Sequence, residues 1–322
     1  MAKKISFSLL WYIALITIIP TYITFSDEIQ DKSFTNALTL IDERNHTDAL
    51  EILIKIKDKS PEIKHIIANC YTENEAWEKA AKYYGQTTST EYELSNYTTY
   101  HLAKCYQFLE DYEKSVQYYQ ILVNDYPESP HFSEAKFQIA IIHQQQENYH
   151  AALEILANLA QEKGSNYTRE ATFEMARIHE ELQDWQKAKT LYDKLISQNT
   201  SDLIALTSLN QLEKSVLRSA KLRVTRKQLM DQGEVLYKNL RLTDALKKYR
   251  RIATGYQDEL TTQAMYKIGK TYFRQRKYTR AISEFKKIKN YMAGAGYFTS
   301  ALYQIGRCHR RLNQHQAARQ HF

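Results

Sequence analysis

"DYEKSVQYYQILVNDYPESP", residues 111–130, reads as a helix that ends in a proline-marked turn. Related phrases stand at "NYHAALEILANL" (148–159), "DWQKAKTLYDKLI" (184–196) and "KYTRAISEFKKI" (277–288), the opening stretch and the first two of these following one another at a step of about 36 residues. Ala281 fixes the register. Tyr278 lies three residues before it and Phe285 four after, while Gly269 and Tyr272 lie twelve and nine before. The same spacing picks out Ala103, Tyr106, Tyr112, Ser115 and Tyr119, then Ala140, His143, Tyr149, Ala152 and Leu156. It also picks out Ala176, His179, Trp185, Ala188 and Tyr192, and Gly233, Leu236, Leu242, Ala245 and Tyr249. Weaker copies begin at Ala68 and Ala37, and Gly306 starts an eighth.

The pattern has a physical cause. A small residue in a first helix (helix A) and another in a second (helix B) let two antiparallel backbones approach. Large residues three and four positions away then fill the flanking grooves. One such hairpin leaves an apolar stripe uncovered, so hairpins stack on one another. This two-helix period with its small/aromatic alternation resembles the tetratricopeptide repeat. The resemblance implies an all-α fold, with hairpins stacked in a right-handed superhelical solenoid. The step from Ala188 to Ala245 is too long for one repeat, and "SDLIALTSLNQLEKSVLRSAK" (201–221) is expected to add a helix there.

Composition agrees with helices joined by short loops. The 322 residues include 8 Gly and 4 Pro against 25 Tyr, too few turn-formers for a sheet protein of this length. The net charge of +7 hides an asymmetry: residues 211–322 hold 25 Lys and Arg against 7 Asp and Glu, and the remainder is acidic. The chain is therefore divided into a first block, 30–218, acidic, and a second, 219–322, basic and ending mid-repeat. A basic half suits an anionic partner. At the N-terminus, Lys3 and Lys4 precede the apolar "ISFSLLWYIALITII" (5–19), so 1–26 is expected to be a signal peptide or an N-terminal anchor. That expectation places the protein outside the cytoplasm, in a bacterial periplasm, with membrane contact only through this segment if it stays uncleaved.

Catalytic chemistry finds no foothold. HExxH, CxxC, GxSxG and phosphate-cradling Gly-rich patterns are missing from the sequence, and no cofactor or metal is implied. Cys70, Cys105 and Cys308 each follow the small helix-A position by two residues, which makes them buried packing residues. His143, His179 and His309 replace Tyr at an aromatic packing position and are expected to act as half-buried substitutes. What the sequence offers is a surface. Three residues before the small helix-A position stand Tyr100, Phe137, Phe173, Met230, Tyr266 and Tyr303, and one residue after it stand Lys104, Arg177, Lys270 and Arg307. An aromatic ladder with basic neighbours, set in a concave groove, suits a peptide or a sugar polymer with acidic groups. Nucleic acid is excluded as a partner, since export removes that ligand and no recognised module is present.

Two stretches, "ELSNYTTYHLAKCYQFLEDYEKSVQYYQILVNDYPESP" (93–130) and "VTRKQLMDQGEVLYKNLRLTDALKKY" (224–249), resemble the non-catalytic helical region of bacterial soluble lytic murein transglycosylases. The resemblance implies an exported, substrate-guiding region of a peptidoglycan enzyme whose lysozyme-like catalytic domain would follow Phe322. The only Glu-Ser pair, Glu128-Ser129, sits in the proline turn, so no catalytic residue carries over. The other reading is an envelope adaptor that binds a protein segment with no linked enzyme.

Overall fold

A computed structural model describes residues 28–57, 59–88, 93–198, 200–219, 222–288 and 295–321. The expected signal segment, 1–26, lies outside the described residues, as does Phe322. Among the described residues the chain is all helix: α1 (Glu28–Asp42), α2 (His46–Lys55), α3 (Pro61–Glu73), α4 (Trp77–Tyr84), α5 (Ser95–Phe108), α6 (Tyr112–Asp125), α7 (Phe132–Gln145), α8 (Tyr149–Leu159) and α9 (Thr168–Glu181). Beyond these come α10 (Trp185–Gln198), α11 (Leu203–Arg218), α12 (Arg226–Lys238), α13 (Leu242–Ile252), α14 (Glu259–Arg274), α15 (Tyr278–Lys287), α16 (Ala295–Arg311) and α17 (His315–Arg319). Packing divides them into two compact units, 1–135 and 136–322, the division falling within α7.

The sequence register is the structural register. Helix B begins at the position three residues before its small residue in all eight copies, from His46 to His315. Ala37, Ala49, Ala68, Ala80, Ala103, Ser115, Ala140, Ala152, Ala176, Ala188, Ala245 and Ala281 are wholly buried. So are the large residues four positions further on: Leu53, Tyr84, Tyr119, Leu156, Tyr192 and Tyr249. Where helix B carries Ser115 instead of Ala, its hydroxyl donates to the Ala103 carbonyl across the hairpin at 2.9 Å. A buried tyrosine hydroxyl also needs a partner. Tyr119 donates to Gln107 at 3.0 Å, Tyr192 to Glu180 at 2.8 Å and Tyr249 to Glu234 at 2.7 Å, each reaching from helix B to helix A of its own hairpin.

Each hairpin closes in the same way. Arg44, Glu75, Glu110, Glu147, Gln183, Leu240, Arg276 and Asn313 stand two residues before a helix B, with φ between 57° and 65°. The amide of the residue after each bonds back five residues, as Asp111 does to the Tyr106 carbonyl at 2.9 Å and Lys277 to Tyr272 at 2.9 Å. This is the Schellman end of helix A, and the left-handed residue is the one glycine usually supplies. Here none of the eight is glycine.

In the second unit the helix expected within 201–221 is α11, and its place is informative. Asp202 caps α11 by accepting from the Ala205 amide at 2.8 Å, as Asp258 caps α14 by accepting from Thr261 at 2.8 Å. Arg169 donates to Asp202 and to the Leu195 carbonyl, while Arg226 donates to Asp258 and to the Ile252 carbonyl. Each guanidinium thus ties the exposed carbonyl end of a helix B to the cap of the next helix. The buried set Ala205, Ser208, Leu209, Leu212 and Ser215 of α11 matches Thr261, Ala264, Met265, Ile268 and Thr271 of α14. Helix α11 is a helix A without a helix B. Residue 218, where the charge changes sign, marks no gap in packing, because one buried cluster runs from Ala176 to Cys308.

Two glycines carry the closest approach. A Cβ on Gly233 would lie 2.4 Å from the Tyr249 ring, and one on Gly269 would lie 2.4 Å from the Phe285 ring. Alanine normally improves a helix by about 1 kcal/mol over glycine. Gly269→Ala is nevertheless expected to destabilise the chain by about 1–2 kcal/mol, because the overpacked ring must shift. Leu240→Gly, at an exposed left-handed position, is expected to stabilise it by about 1 kcal/mol. Urea unfolding midpoints of the two variants check both signs.

Candidate functional site

The residues three before and one, four and five after the small helix-A position share one face of each helix A. In the first unit this face is drawn inward. Tyr100 is buried, its hydroxyl donates to Glu134 Oε1 at 2.5 Å, and its ring stacks on His131 at 4.0 Å. Lys104 Nζ lies 5.6 Å from the Tyr100 ring centre. Behind Tyr100 sits a histidine cluster that the sequence pattern does not reveal. His65 Nδ1 is hydrogen-bonded to Thr98 Oγ1 at 2.9 Å, and its ring meets Tyr84 at 5.5 Å and His101 at 6.4 Å. The His101 ring stacks on Tyr84 at 5.5 Å and meets Tyr100 and His131 at 5.2 and 6.4 Å. Burial pushes His65 down to about 4. His101 is pushed down to about 3, by burial first and then by positive charge on His65, Lys104 and His131, with Glu134 opposing. Burial works against ionised Glu134, but hydrogen bonds from His131 and Tyr100 hold its carboxyl below the usual range.

In the second unit the face changes character along the chain. Phe137 packs against Tyr167 and Phe173 against Tyr192, both half-buried. Between α7 and α9 opens a cavity of about 260 Å³ lined by Ile141, Gln144, Gln145, Tyr149, Glu174, Arg177 and Glu181. Arg177 is exposed and pairs with Glu174 at 2.8 Å. Met230 lies inside the core. Further on, Tyr266 is half-buried, between Phe285 and Tyr297 at 5.6 and 5.5 Å. Lys270 Nζ stands 5.9 Å from both the Tyr237 and the Tyr266 ring centres, Arg274 lies 4.9 Å over Tyr237, and Arg307 lies 4.9 Å over Phe273. Burial lowers the Lys270 pKa and the like charge of Lys267 lowers it further, the Glu234 carboxylate opposes, and the charges of Arg307 and Arg274 add to the lowering. Tyr303 is exposed.

Of the ten residues expected in the groove, Tyr100 and Met230 are therefore core, and the other eight have some surface on the helix-A face. Sequence reasoning missed Tyr237, Phe273 and Arg274. These stand four or five residues after the small position, so extending the same register would have found them. All three cysteines are buried, and burial pushes their thiols up to about 12 at Cys70 and Cys105 and about 11 at Cys308. His143, His179 and His309 are half-buried, as expected of aromatic substitutes. Among the described residues no cluster of ligating side chains suits a metal, and no helix is long and apolar enough to cross a membrane.

With the geometry in place, the chain can be compared with known proteins. A family model described as tetratricopeptide repeat matches residues 97–129, 170–200 and 300–322, and a second of the same description matches 230–295. The C-terminal part of a tetratricopeptide repeat-containing protein from Cytophaga hutchinsonii superposes with a TM-score of 0.52 at 16% identity, covering 84% of this chain and 99% of that one. The human IFIT1 dimer with PPP-AAAA gives a TM-score of 0.54 at 19% identity, covering 76% of this chain and 57% of that one. The same dimer with m7Gppp-AAAA gives 0.54 at 20%, covering 77% and 58%. No curated protein sequence matches. The residues matched by the family models carry tetratricopeptide repeats, and the fold of the described residues is of the tetratricopeptide type.

The histidine cluster sets a pH limit on the first unit. Both imidazoles are neutral when folded but take protons below about 6.5 when unfolded, so acid favours the unfolded form. Stability is full above pH 6.5 and falls as the pH drops from there toward 4. Between pH 6.5 and 5 the loss at His65 is about 2 kcal/mol. Hydrogen exchange of α3 and α5 amides, compared at pH 7 and 5 after correction for intrinsic rates, checks this, and His65→Gln is expected to flatten the difference.

Proposed function

We propose that the chain is a binding scaffold that holds an extended segment of a partner protein along the helix-A face of its second unit. The observation that carries this reading is that the cavity at Arg177 and the half-buried rings and cations around Lys270 occupy equivalent helix-A positions of their repeats. Stacked repeats of this kind present continuous surfaces for protein and peptide ligands. The face joins apolar ring edges, which contribute contact area, to charged groups that fix orientation. Among the described residues it gathers no set of acid, base and nucleophile side chains.

A second reading places this scaffold in the cell envelope. The basic and apolar N-terminal pattern supports export to a bacterial periplasm. The phrases at 93–130 and 224–249 support a role as the substrate-guiding region of a peptidoglycan lytic transglycosylase, with the catalytic domain elsewhere. Under that reading the basic half contacts the acidic groups of the polymer, and no muropeptide is released by these residues.

Peptide-display selection on the purified chain, then hydrogen exchange with a selected peptide, is expected to show protection on α7, α9, α12, α14 and α16. Protection confined to the B helices would overturn the scaffold reading. Co-sedimentation with peptidoglycan sacculi without muropeptide release is expected under the envelope reading, and failure to co-sediment would remove it.

A further inference from the structure

The surface around α14 and α16 has an unbalanced charge. Helix α16 carries no Asp or Glu over its 17 residues, and α14 carries only Glu259, in its first turn. Lys267 is neutralised by Glu234 of α12 at 2.6 Å. Among the described residues no carboxylate pairs with Lys270, Arg274 or Arg307. Arg274 donates to the Tyr237 carbonyl at 2.8 Å and Arg307 to Gln304 Oε1 at 3.2 Å, both neutral acceptors. Three cations are thus held close together against rings in one unit, each able to make stronger, charge-assisted bonds to an anion.

The rings decide which anion-bearing partner fits. Tyr237, Tyr266 and Phe273 already lie beneath Arg274, Lys270 and Arg307, and Tyr266 is further covered by Tyr297. A single-stranded nucleic acid needs a succession of open ring faces on which bases stack. A sugar polymer uses open rings in a similar way. Here Tyr303 is the exposed ring on the face, and the groups turned to a ligand are ammonium and guanidinium. Carboxylate side chains match them without any stacking. An extended peptide places alternate side chains on the same side about 6.6 Å apart, so a short run of Asp or Glu residues meets several cations at once.

We propose that the segment docking at α14 and α16 is acidic, a stretch of Asp or Glu side chains whose carboxylates sit among Lys270, Arg274 and Arg307. This rests on the scaffold reading above and names its partner chemistry. Binding of carboxylates relieves the mutual repulsion of the cations, and it weakens with salt.

Fluorescence anisotropy of the full chain tests it with a labelled twelve-residue peptide of alternating Glu and Ala, its Gln counterpart, a twelve-residue oligothymidine and a soluble peptidoglycan fragment. The Glu peptide is expected to bind at least tenfold tighter than the Gln peptide. The combined variant Lys270→Gln, Arg274→Gln, Arg307→Gln is expected to lose that advantage. A charge-matched variant on the B helices, Arg251→Gln, Arg280→Gln, Lys286→Gln, is expected to keep it, as is Lys270→Arg. Circular dichroism confirms that each variant is folded. Equal binding of both peptides, with exchange protection still on the helix-A face, would overturn the acidic specificity and leave the scaffold standing. Tighter binding of the oligonucleotide or the glycan through the same three residues would overturn the choice of a peptide. Equal loss in the B-helix variant would show attraction to charge alone and overturn the site, and absence of Glu-peptide binding overturns it outright.

Discussion

Everything in this chain depends on how near two backbones can come. In the seven hairpins from α1 to α15 a side chain no larger than serine faces another, and a Leu, Tyr or Phe four residues later closes the gap beside them. A larger side chain at either small position would force the helices apart and uncover the ring. A smaller ring would leave a cavity. Gly233 and Gly269 mark the tightest version, where even a methyl group would overlap the ring. Because the same contact recurs, each hairpin repeats the same set of helix-A positions, and the surface proposed to bind a partner is a by-product of core packing.

The paired arginines at 169 and 226 show how one hairpin is joined to the next helix. A guanidinium reaches a carbonyl at the end of helix B and a carboxylate at the start of its successor, so two polar helix ends that would otherwise need water satisfy each other. The Asp258 carboxyl is held well below its usual range by this bond. The device is indifferent to whether a full hairpin comes next, and in the first instance it receives α11, half a repeat.

The spacing of small and large residues was enough to read the hairpins, and the position three residues before each small helix-B residue coincides with the start of that helix. That works because packing inside a hairpin is local, linking residues 12 to 16 apart. The extra helix was legible as a length anomaly, but its identity as an unpaired helix A was not, since Glu213 stands where the other copies have Gly or Ala. The candidate face was read in part. Tyr100 and Met230 match the ladder spacing yet are buried, because His131 covers the first and the core takes the second. The histidine cluster was illegible: His65, His101 and His131 come together only through stacking of successive hairpins, and their spacing matches no helical period. Tyr237, Phe273 and Arg274 lay one turn beyond the positions considered.

The turn between helices A and B has a wider consequence. It is closed by main-chain bonds alone, and arginine, glutamate, glutamine, leucine and asparagine all occupy its left-handed position. Such a bend is set by main-chain geometry, so a non-glycine residue there costs about 1 kcal/mol without opening the hairpin. The path of the chain through each bend is therefore held by the main chain, whichever side chain stands there.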